Sequence, residues 1–428
     1  MNRRLLPFLF VLYIFNFLDR SNVGLAALQM NRDLGFSAAA FGFGASVFFI
    51  GYSLFEVPSN LILVRVGARR WIARIMITWG AIAVAMMFVR NETQFYVLRF
   101  LLGVAEAGFF PAIMYYLAQW YPAAMRAQSG ARFMIAIPLS GAIGGPLGGW
   151  LLGVAGAGLS GWQWLFLIEG LPSVLLGFAV LRYLPERPEN ASWLTSGQRD
   201  WLATRLERDR ATSVVPHGLP PLSALANPLV WLAALPELLV TTAGYAYLFW
   251  GPILIRDALH LTNLQTGLLG GVTAFLAAAA MLVVGASSDR TGDRVKHAAA
   301  CALVEAVACV STALVTSPVA KVLSLTVMQI AVIAFLAPFW ALPTMILGGA
   351  SAAVGLALVN AIGNVGGFIG PNVIGFLRAR AGGDQGAFFI LAAMALVASA
   401  ICLSMLRSRV LSGRHSTLIP TIAGSGGG

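Results

Sequence analysis

Twelve apolar segments divide this sequence, and each is long enough to cross a lipid bilayer as a helix. Charged clusters and Gly, Pro or Asn residues separate them, at about residues 5–30, 40–63, 71–89, 94–119, 131–154, 163–183, 229–253, 266–286, 298–316, 320–346, 351–376 and 386–406. Because a membrane-spanning helix needs about 20 mostly apolar residues, the pattern predicts an all-α membrane protein with twelve transmembrane helices. The composition agrees, since 58% of the 428 residues are hydrophobic and 11% are charged. This excludes a secreted enzyme, a nucleic-acid-binding domain and a disordered scaffold.

The distribution of basic residues predicts that both chain ends lie in the cytoplasm. Of the 28 Lys and Arg residues, twenty fall on the side of the N-terminus, six fall on the opposite side, and Arg20 and Arg99 lie within spans. Cytoplasmic loops carry the excess of Lys and Arg in membrane proteins. The net charge of +11 therefore reflects topology and does not indicate a nucleic-acid partner. The Arg-, Ala- and Gly-rich composition is typical of a GC-rich bacterial genome, so we predict a multi-pass protein of the bacterial cytoplasmic membrane.

A polar stretch between the sixth and seventh spans predicts two bundles of six helices. We place the N-terminal bundle at residues 1–183, a cytoplasmic linker at 184–227, the C-terminal bundle at 228–407 and a cytoplasmic tail at 408–428. The charges of the linker predict a short helix around residues 196–210. The Gly-rich end of the tail, residues 424–428, resembles a cloning remnant and is left out of the fold.

Two motifs recur at one fixed offset and indicate an internal duplication. Gly67 and Gly292 follow the second and eighth spans within similar basic segments, 225 residues apart. The pattern Gly141-x3-Gly145-Pro146 in the fifth span recurs with the same offset as Gly366-x3-Gly370-Pro371 in the eleventh. Duplicated bundles place a substrate site between them near the membrane midplane, which predicts an alternating-access carrier. The glycines themselves could serve either as hinges or as sites of close helix packing.

Charged residues inside spans are the strongest candidates for a functional site, because each costs several kcal/mol in the membrane unless it is paired or hydrated. The first span carries Asp19 and Arg20 beside Asn22, and the neighbours Asp19 and Arg20 should point about 100° apart around the helix. In the second span Tyr52 and Glu56 share a helical face, and in the fourth Arg99 and Glu106 lie two turns apart. An Arg that exchanges a protein carboxylate for a substrate carboxylate leaves the former free to take a proton. The alternative is an interhelical ion-pair network that fixes packing.

The second half of the chain carries aromatic and amide side chains at the corresponding depth. These are Tyr245 in the seventh span, Trp340 in the tenth, and Asn360 and Asn364 on one face of the eleventh. They could bind the hydroxyl groups or carbon skeleton of a substrate, although such residues also occur in ordinary helix packing. Glu169 and Glu237 lie toward the ends of spans, where they could reach the interface or find a partner, and Glu305 is isolated.

Other chemistries find no support in the sequence. No His lies within a span, the three Cys have neither metal nor redox spacing, and no Gly-rich phosphate loop is present. We therefore predict neither an enzyme nor a bound cofactor, with protons as the coupling ion.

These motifs resemble the major facilitator superfamily over nearly the whole chain. The run Asn16-Phe17-Leu18-Asp19-Arg20-Ser21-Asn22, the segment 51–60 and the segment from Arg99 to Pro111 resemble its anion:cation symporter family in particular. That resemblance implies proton coupling by Asp19 and Glu106. It implies substrate binding by Arg20 and Tyr52, with Arg99 as partner of the acids, and we add Asn22, Tyr245, Trp340, Asn360 and Asn364 as candidates. The predicted gating residues are Glu56, Arg65, Gly67, Arg69, Arg70, Asp289, Arg290, Gly292 and Arg294, and Val64 stands where the superfamily usually has an Asp.

The family resemblance also implies a substrate class. Sugar-acid members carry a polar amide in the fifth span, whereas residues 135–140 here are apolar except for Ser140. This favours a smaller or more aromatic carboxylate. We predict import of a tartrate-like hydroxydicarboxylate with protons by a monomer, with phthalate or hydroxyphenylacetate symport as the alternative. A proton-coupled drug or cation exporter is the second alternative, although two cavity Arg residues would repel cations.

Overall fold

The computed structural model describes residues 4–122, 133–212, 228–342, 351–381 and 383–405. Within them the chain is helical, and the one extended pairing is an isolated bridge between Gly156 and Leu159. The α-helices are α1 Leu5–Leu34, α2 Ala38–Val66, α3 Ala68–Ala85, α4 Glu92–Glu106, α5 Phe109–Trp120, α6 Ala136–Leu151, α7 Gly161–Tyr183, α8 Ser196–Thr212, α9 Pro228–Leu259, α10 Asn263–Thr291, α11 Arg294–Leu314, α12 Pro318–Phe339, α13 Ser351–Ala381 and α14 Gln385–Met405.

The helices fall where the sequence predicts transmembrane spans. Ten helical segments of the described chain are long and apolar enough to cross a bilayer, with α4 and α5 forming a single segment, Glu92–Trp120. Helices α6 and α13 occupy the fifth and eleventh predicted spans. The predicted fold class, an all-α membrane protein, is therefore confirmed. Helix α8 lies where the linker helix is predicted, whereas linker residues 213–227 and the predicted tail, 408–428, lie outside the described residues.

Short polar residues define the helix boundaries. The Ser37 hydroxyl accepts the Ala40 amide at the start of α2, and Asn91 accepts the Gln94 amide at the start of α4, both as N-caps. Gly35 adopts a left-handed conformation, with φ of 71°, that ends α1. These caps allow tight turns between adjacent antiparallel spans.

The pairs of helices that pack together in the first half have counterparts in the second half. In the first half α1 packs on α6, α3 on α7 and α2 on α4, and the corresponding pairs in the second half are α9 on α13, α11 on α14 and α10 on α12. Between the halves, α2 packs on α13, α6 on α10 and α1 on α9. This repetition is the arrangement that a duplicated six-helix unit would form around a pseudo-twofold axis.

Close contacts between the halves lie toward the ends of the helices that the basic residues assign to the outside. A Cβ at Gly149 would lie 2.7 Å from the Asn263 carbonyl oxygen, and one at Gly42 would lie 2.8 Å from that of Pro371. Arg256 on α9 also donates to the Leu28 carbonyl of α1, at 2.5 Å. These contacts bring α6, α2 and α1 against the second half, so the outer side is closed.

Candidate functional site

A cavity of about 240 Å³ lies between the two halves and is lined by both. The first half contributes α1, α2, α5, α6 and α7, and the second half contributes α9, α10, α12 and α13. The predicted residues on its wall are Arg20, Asn22, Tyr52, Tyr245, Trp340, Asn360 and Asn364. Seven residues from separate parts of the sequence thus line one cavity. Its volume suits a small organic molecule.

Arg20 forms a buried ion pair with Glu106 at the edge of this cavity. Its Nε donates to Glu106 Oε1 at 2.9 Å, and its Nη2 donates to the same oxygen. The guanidinium carbon also lies 5.1 Å, 5.3 Å and 5.2 Å from the ring centres of Phe17, Phe48 and Tyr52. Aromatic faces stabilise a cation that has lost its water. The second carboxylate oxygen of Glu106 has no hydrogen-bond partner among the described residues.

A break in the fourth span places Glu106 beside Arg20. Helix α4 ends at Glu106, Gly108 has a φ of 86°, and α5 begins at Phe109. Only Gly adopts this left-handed conformation readily. The carbonyl of Ala107, freed by the break, accepts the Ser59 hydroxyl of α2 at 2.7 Å. The sequence predicts one continuous span here, and the break differs from that prediction because Gly108 and Pro111 interrupt helical hydrogen bonding.

Asp19 lies behind the cavity wall and accepts two hydrogen bonds through one oxygen. Trp79 Nε1 on α3 donates to its Oδ2 at 2.8 Å, and the Ser173 hydroxyl on α7 donates to the same atom at 2.5 Å. Its Oδ1 has no partner among the described residues, and the residue is 1% exposed. Asp19 and Arg20 diverge around α1, as the sequence predicts, so that Arg20 reaches Glu106 while Asp19 faces α3 and α7.

Arg99 is buried away from the cavity wall. Its Nη2 donates to the Ala45 carbonyl at 3.0 Å, and its guanidinium carbon lies 5.0 Å from the ring centre of Phe48 and 5.6 Å from that of Phe249. Arg20 lies beside the same Phe48 ring. In this arrangement Arg99 cannot contact a ligand in the cavity directly. It differs from the predicted substrate-binding position because Phe48 covers it.

The second half supplies polar groups to the cavity wall, and its Tyr245 lies near Arg20. The Tyr245 hydroxyl donates to Asn364 Oδ1 at 2.9 Å, and one turn away Asn360 Nδ2 donates to Glu56 Oε1 at 3.3 Å. Since Glu56 belongs to α2, the second bond joins the two halves. Trp340 lines the cavity just after α12 ends. Glu56, predicted as a gating residue, and Asn360, predicted as a substrate residue, are hydrogen-bonded to each other.

Two acidic residues on the cavity wall were not selected from the sequence. Glu169 on α7 is 2% exposed and Glu237 on α9 is 5% exposed, and each has an oxygen without a hydrogen-bond partner among the described residues. Both line the cavity and are buried, so neither reaches the membrane interface at the end of its span. The sequence feature that could have identified them is an acidic residue within an apolar span, because such a residue is costly to bury in a membrane.

The remaining predicted gating residues lie in the loops after the second and eighth spans. Arg69 donates to the Leu181 carbonyl at the end of α7, and Gly67, with a φ of 92°, joins α2 to α3. In the second copy Arg294 pairs with Asp289 at 3.3 Å across Gly292, which has a φ of 70°. Arg65, Arg70 and Arg290 are exposed. Both glycines thus support the tight turn between consecutive spans.

No group of three or more His, Cys, Asp or Glu side chains within the described ranges could hold a metal ion. The site is instead a ligand cavity between two helical bundles, with a paired cation on one wall and hydrogen-bonding groups on the other. Together with the duplicated membrane fold, this defines a membrane transporter of small molecules.

Comparison with known proteins gives the family. The sequence matches the Major Facilitator Superfamily over residues 9–371, so the chain belongs to that superfamily. It is 44% identical over 417 residues to a protein of Agrobacterium vitis named "Putative tartrate transporter", covering 96% of this chain and 94% of the relative. It is 41% identical over 394 residues to the "Quinolone resistance transporter" of Acinetobacter baumannii, covering 92% and 91%. These relatives are transporters, and none of this points to an enzyme.

Solved structures show the same fold. A bacterial homologue of the human lysosomal transporter Spinster, in an inward-facing and occupied conformation, superimposes with a TM-score of 0.76 at 17% identity. The match covers 94% of this chain and 96% of that one. The chain is thus a multi-pass membrane transporter with the superfamily fold.

Proposed function

We propose that the protein imports a small organic anion together with protons by alternating access, and that the anion is a tartrate-like hydroxydicarboxylate. The observation that carries this proposal is the Arg20–Glu106 pair at the cavity edge. Arg20 is already bonded to a carboxylate in a buried, aromatic-lined position. A substrate carboxylate of the same geometry can take that place.

The exchange gives a physical route to coupling. While Arg20 holds Glu106, the guanidinium compensates the buried charge of the carboxylate. When a substrate carboxylate takes over the guanidinium, Glu106 is left in an apolar surrounding, where an unpaired charge is costly. Taking up a proton removes that charge. Anion entry and proton entry are then linked through one residue, and Asp19 supplies a further buried carboxylate on the same helix as Arg20.

The opposite wall supports a hydroxylated substrate. Glu237 and Gln329 each present a buried oxygen without a partner among the described residues, and both line the cavity. Such acceptors are satisfied by hydroxyl groups of a ligand. The relatives from Agrobacterium vitis, named for tartrate, support the same choice. We further propose that the protein works as a monomer in the bacterial cytoplasmic membrane, because the two halves of one chain complete the cavity.

Two alternatives each have a supporting observation. Aromatic side chains on the wall, among them Tyr13, Phe109 and Phe110, would also suit an aromatic acid such as phthalate or hydroxyphenylacetate. A proton-coupled drug or cation exporter is favoured by the relative named for quinolone resistance and by the unpaired acids Glu169 and Glu237. Both alternatives retain the same cavity.

Transport by purified protein in liposomes tests the proposal. An inward proton gradient should drive accumulation of labelled tartrate. Asp19→Asn and Glu106→Gln should each abolish that accumulation while retaining substrate exchange without a gradient, because the amides cannot release a proton. A panel of tartrate, phthalate, hydroxyphenylacetate and organic cations, ranked by ligand-induced thermal stabilisation, distinguishes the alternatives. Full gradient-driven accumulation by both amide variants would remove these residues from proton coupling.

A further inference from the structure

Glu169 is a buried acidic residue on the cavity wall, and the proposed carboxylate exchange at Arg20 does not involve it. It lies on α7, and its Oε2 has no hydrogen-bond partner among the described residues. A carboxylate 2% exposed within a transmembrane helix is costly to keep ionised without a cation. Its position on the cavity wall makes it reachable by water, whereas Asp19 is not on that wall.

The packing of α1 against α7 brings Glu169 next to Asp19. Ser173, one turn after Glu169 on the same face of α7, donates to Asp19 Oδ2 at 2.5 Å. The two helices run in opposite directions, so Glu169 faces the next turn of α1, where Asn22 lies. Glu169 is also close enough to Asp19 for electrostatic interaction. The unpartnered Oε2 of one acid and the unpartnered Oδ1 of the other thus belong to neighbouring turns.

The surroundings leave these two acids without a compensating charge. Helix α3 presents Trp79 to Asp19, and α6 presents the Ser140 side chain, which bonds to its own helix. Arg20 points to the other side of α1, where Glu106 pairs with it. No salt bridge forms to Asp19 or Glu169 in the described part of the chain. Two adjacent negative charges in this position would repel each other in an apolar medium, and a bound proton removes that repulsion.

We propose that Glu169 and Asp19 form one proton-binding site of two carboxylates, in which Glu169 takes the proton from cavity water and passes it to Asp19. This inference rests on the proposed proton-coupled transport. A hydronium ion in the cavity gives its proton to the Glu169 carboxylate, which then passes a proton to the Asp19 carboxylate, directly or through one water molecule. Trp79 and Ser173 occupy Oδ2 as the acceptor, and Oδ1 has no partner among the described residues. Glu106 is near enough to act electrostatically on Asp19, but it is paired with Arg20, so the two carboxylates form a second proton site.

Glu169→Gln tests this assignment, with Glu305→Gln as the matched control. Glu305 is also a fully buried acid with unpartnered oxygens, but it lies on α11 and does not line the cavity. Gradient-driven uptake of tartrate should fall about tenfold or more in Glu169→Gln, and the uptake that remains should depend on pH differently from that of the unaltered protein. Tartrate-induced thermal stabilisation should persist, and Glu305→Gln should behave like the unaltered protein in both assays.

The double variant distinguishes one shared site from two independent sites. Because Asp19→Asn alone should abolish accumulation, the comparison uses the protons taken up when tartrate binds, measured by calorimetry in two buffers. If Glu169 and Asp19 act as one unit, Glu169→Gln combined with Asp19→Asn should lose no more of that proton uptake than Asp19→Asn alone. A further loss in the double variant would overturn the shared site. Unchanged uptake and an unchanged pH profile in Glu169→Gln would overturn the inference while leaving proton coupling by Asp19 and Glu106 intact. Absence of gradient-driven uptake by the unaltered protein would instead refute the proposed function, and this inference with it.

Discussion

The crossing of α6 and α10 leaves no room for a methyl group, and this makes the closed outer side testable. A Cβ at Gly145 would lie 2.5 Å from the Gly267 carbonyl oxygen and 2.8 Å from the Gly271 amide nitrogen. Ordinary carbon–oxygen contacts are about 3.3–3.6 Å, so Gly145→Ala must push the helices apart by about 1 Å. Both obstructing atoms belong to the backbone and cannot rotate away. Overpacking of this kind costs about 1–3 kcal/mol.

This cost applies to the arrangement in which the outer ends of the two halves touch. An arrangement with those ends separated does not contain the contact, so Gly145→Ala should shift the equilibrium toward an outward-open state. About 1.4 kcal/mol changes an equilibrium constant tenfold, and the expected shift is therefore about tenfold to a hundredfold. Gly270→Ala on α10, the other helix of this crossing, is the control, since its Cβ would meet nothing within 4 Å.

Labelling from outside measures the shift. Ile255 lines the cavity near the outer end of α9 and is 1% exposed, so a cysteine there should react with an impermeant thiol reagent only when the outer side opens. The three native cysteines are buried. Ile255→Cys should react faster when combined with Gly145→Ala, and at the unaltered rate with Gly270→Ala. An equal rate in a folded Gly145→Ala protein would refute the view that this crossing keeps the outer side closed.

Two further predictions concern the two walls of the cavity. Arg20→Lys should weaken tartrate binding by about tenfold to a hundredfold, because charged hydrogen bonds contribute about 1.5–3 kcal/mol and the planar fork of Arg is lost. Calorimetric titration measures the Kd, and an unchanged Kd would mean that the carboxylate binds elsewhere. Glu237→Met should reduce the preference for tartrate over succinate, which has the same carbon chain without hydroxyl groups, because a ligand hydroxyl loses its acceptor oxygen. Competition for uptake measures the ratio, and equal weakening of both ligands would contradict recognition by Glu237.

The predictable part of this molecule follows from the cost of placing charge in a membrane. That cost is large and local, so the apolar spans and the charged residues within them could be recognised without any tertiary information. The divergence of Asp19 and Arg20 follows from helix geometry alone, and the structure has this divergence. The duplication could be recognised because two glycine motifs share one offset, and the helix pairs repeat accordingly.

Other features depend on contacts between distant segments. The bond between Asn360 and Glu56 joins residues 304 positions apart, and no local pattern indicates which acid an amide will meet. Glu169 belongs with Asp19 because of the register of α7 on α1, which the spacing of apolar residues within either helix does not determine. Tertiary packing also places Arg99 beside Phe48 and away from the cavity wall. The sequence alone shows only that Arg99, like Arg20, is a charged residue within a span.

Helices α2 and α13 each carry a residue of the cavity wall and, one turn away, a partner of the hydrogen bond that joins the two halves. Tyr52 lies beside Arg20, and Glu56, one turn further along α2, accepts Asn360; on α13, Asn364 bonds to Tyr245 one turn from Asn360. A ligand changes the balance between two arrangements only by the difference between its contacts in each. An anion held by Arg20 alone would contact one half and leave the balance unaltered. A ligand that also bonds to the Tyr245 and Asn364 wall joins the two halves directly, and its binding energy then depends on their separation. The requirement for a second binding group on the substrate therefore follows from the placement of Arg20 and Asn364 in different halves of the protein.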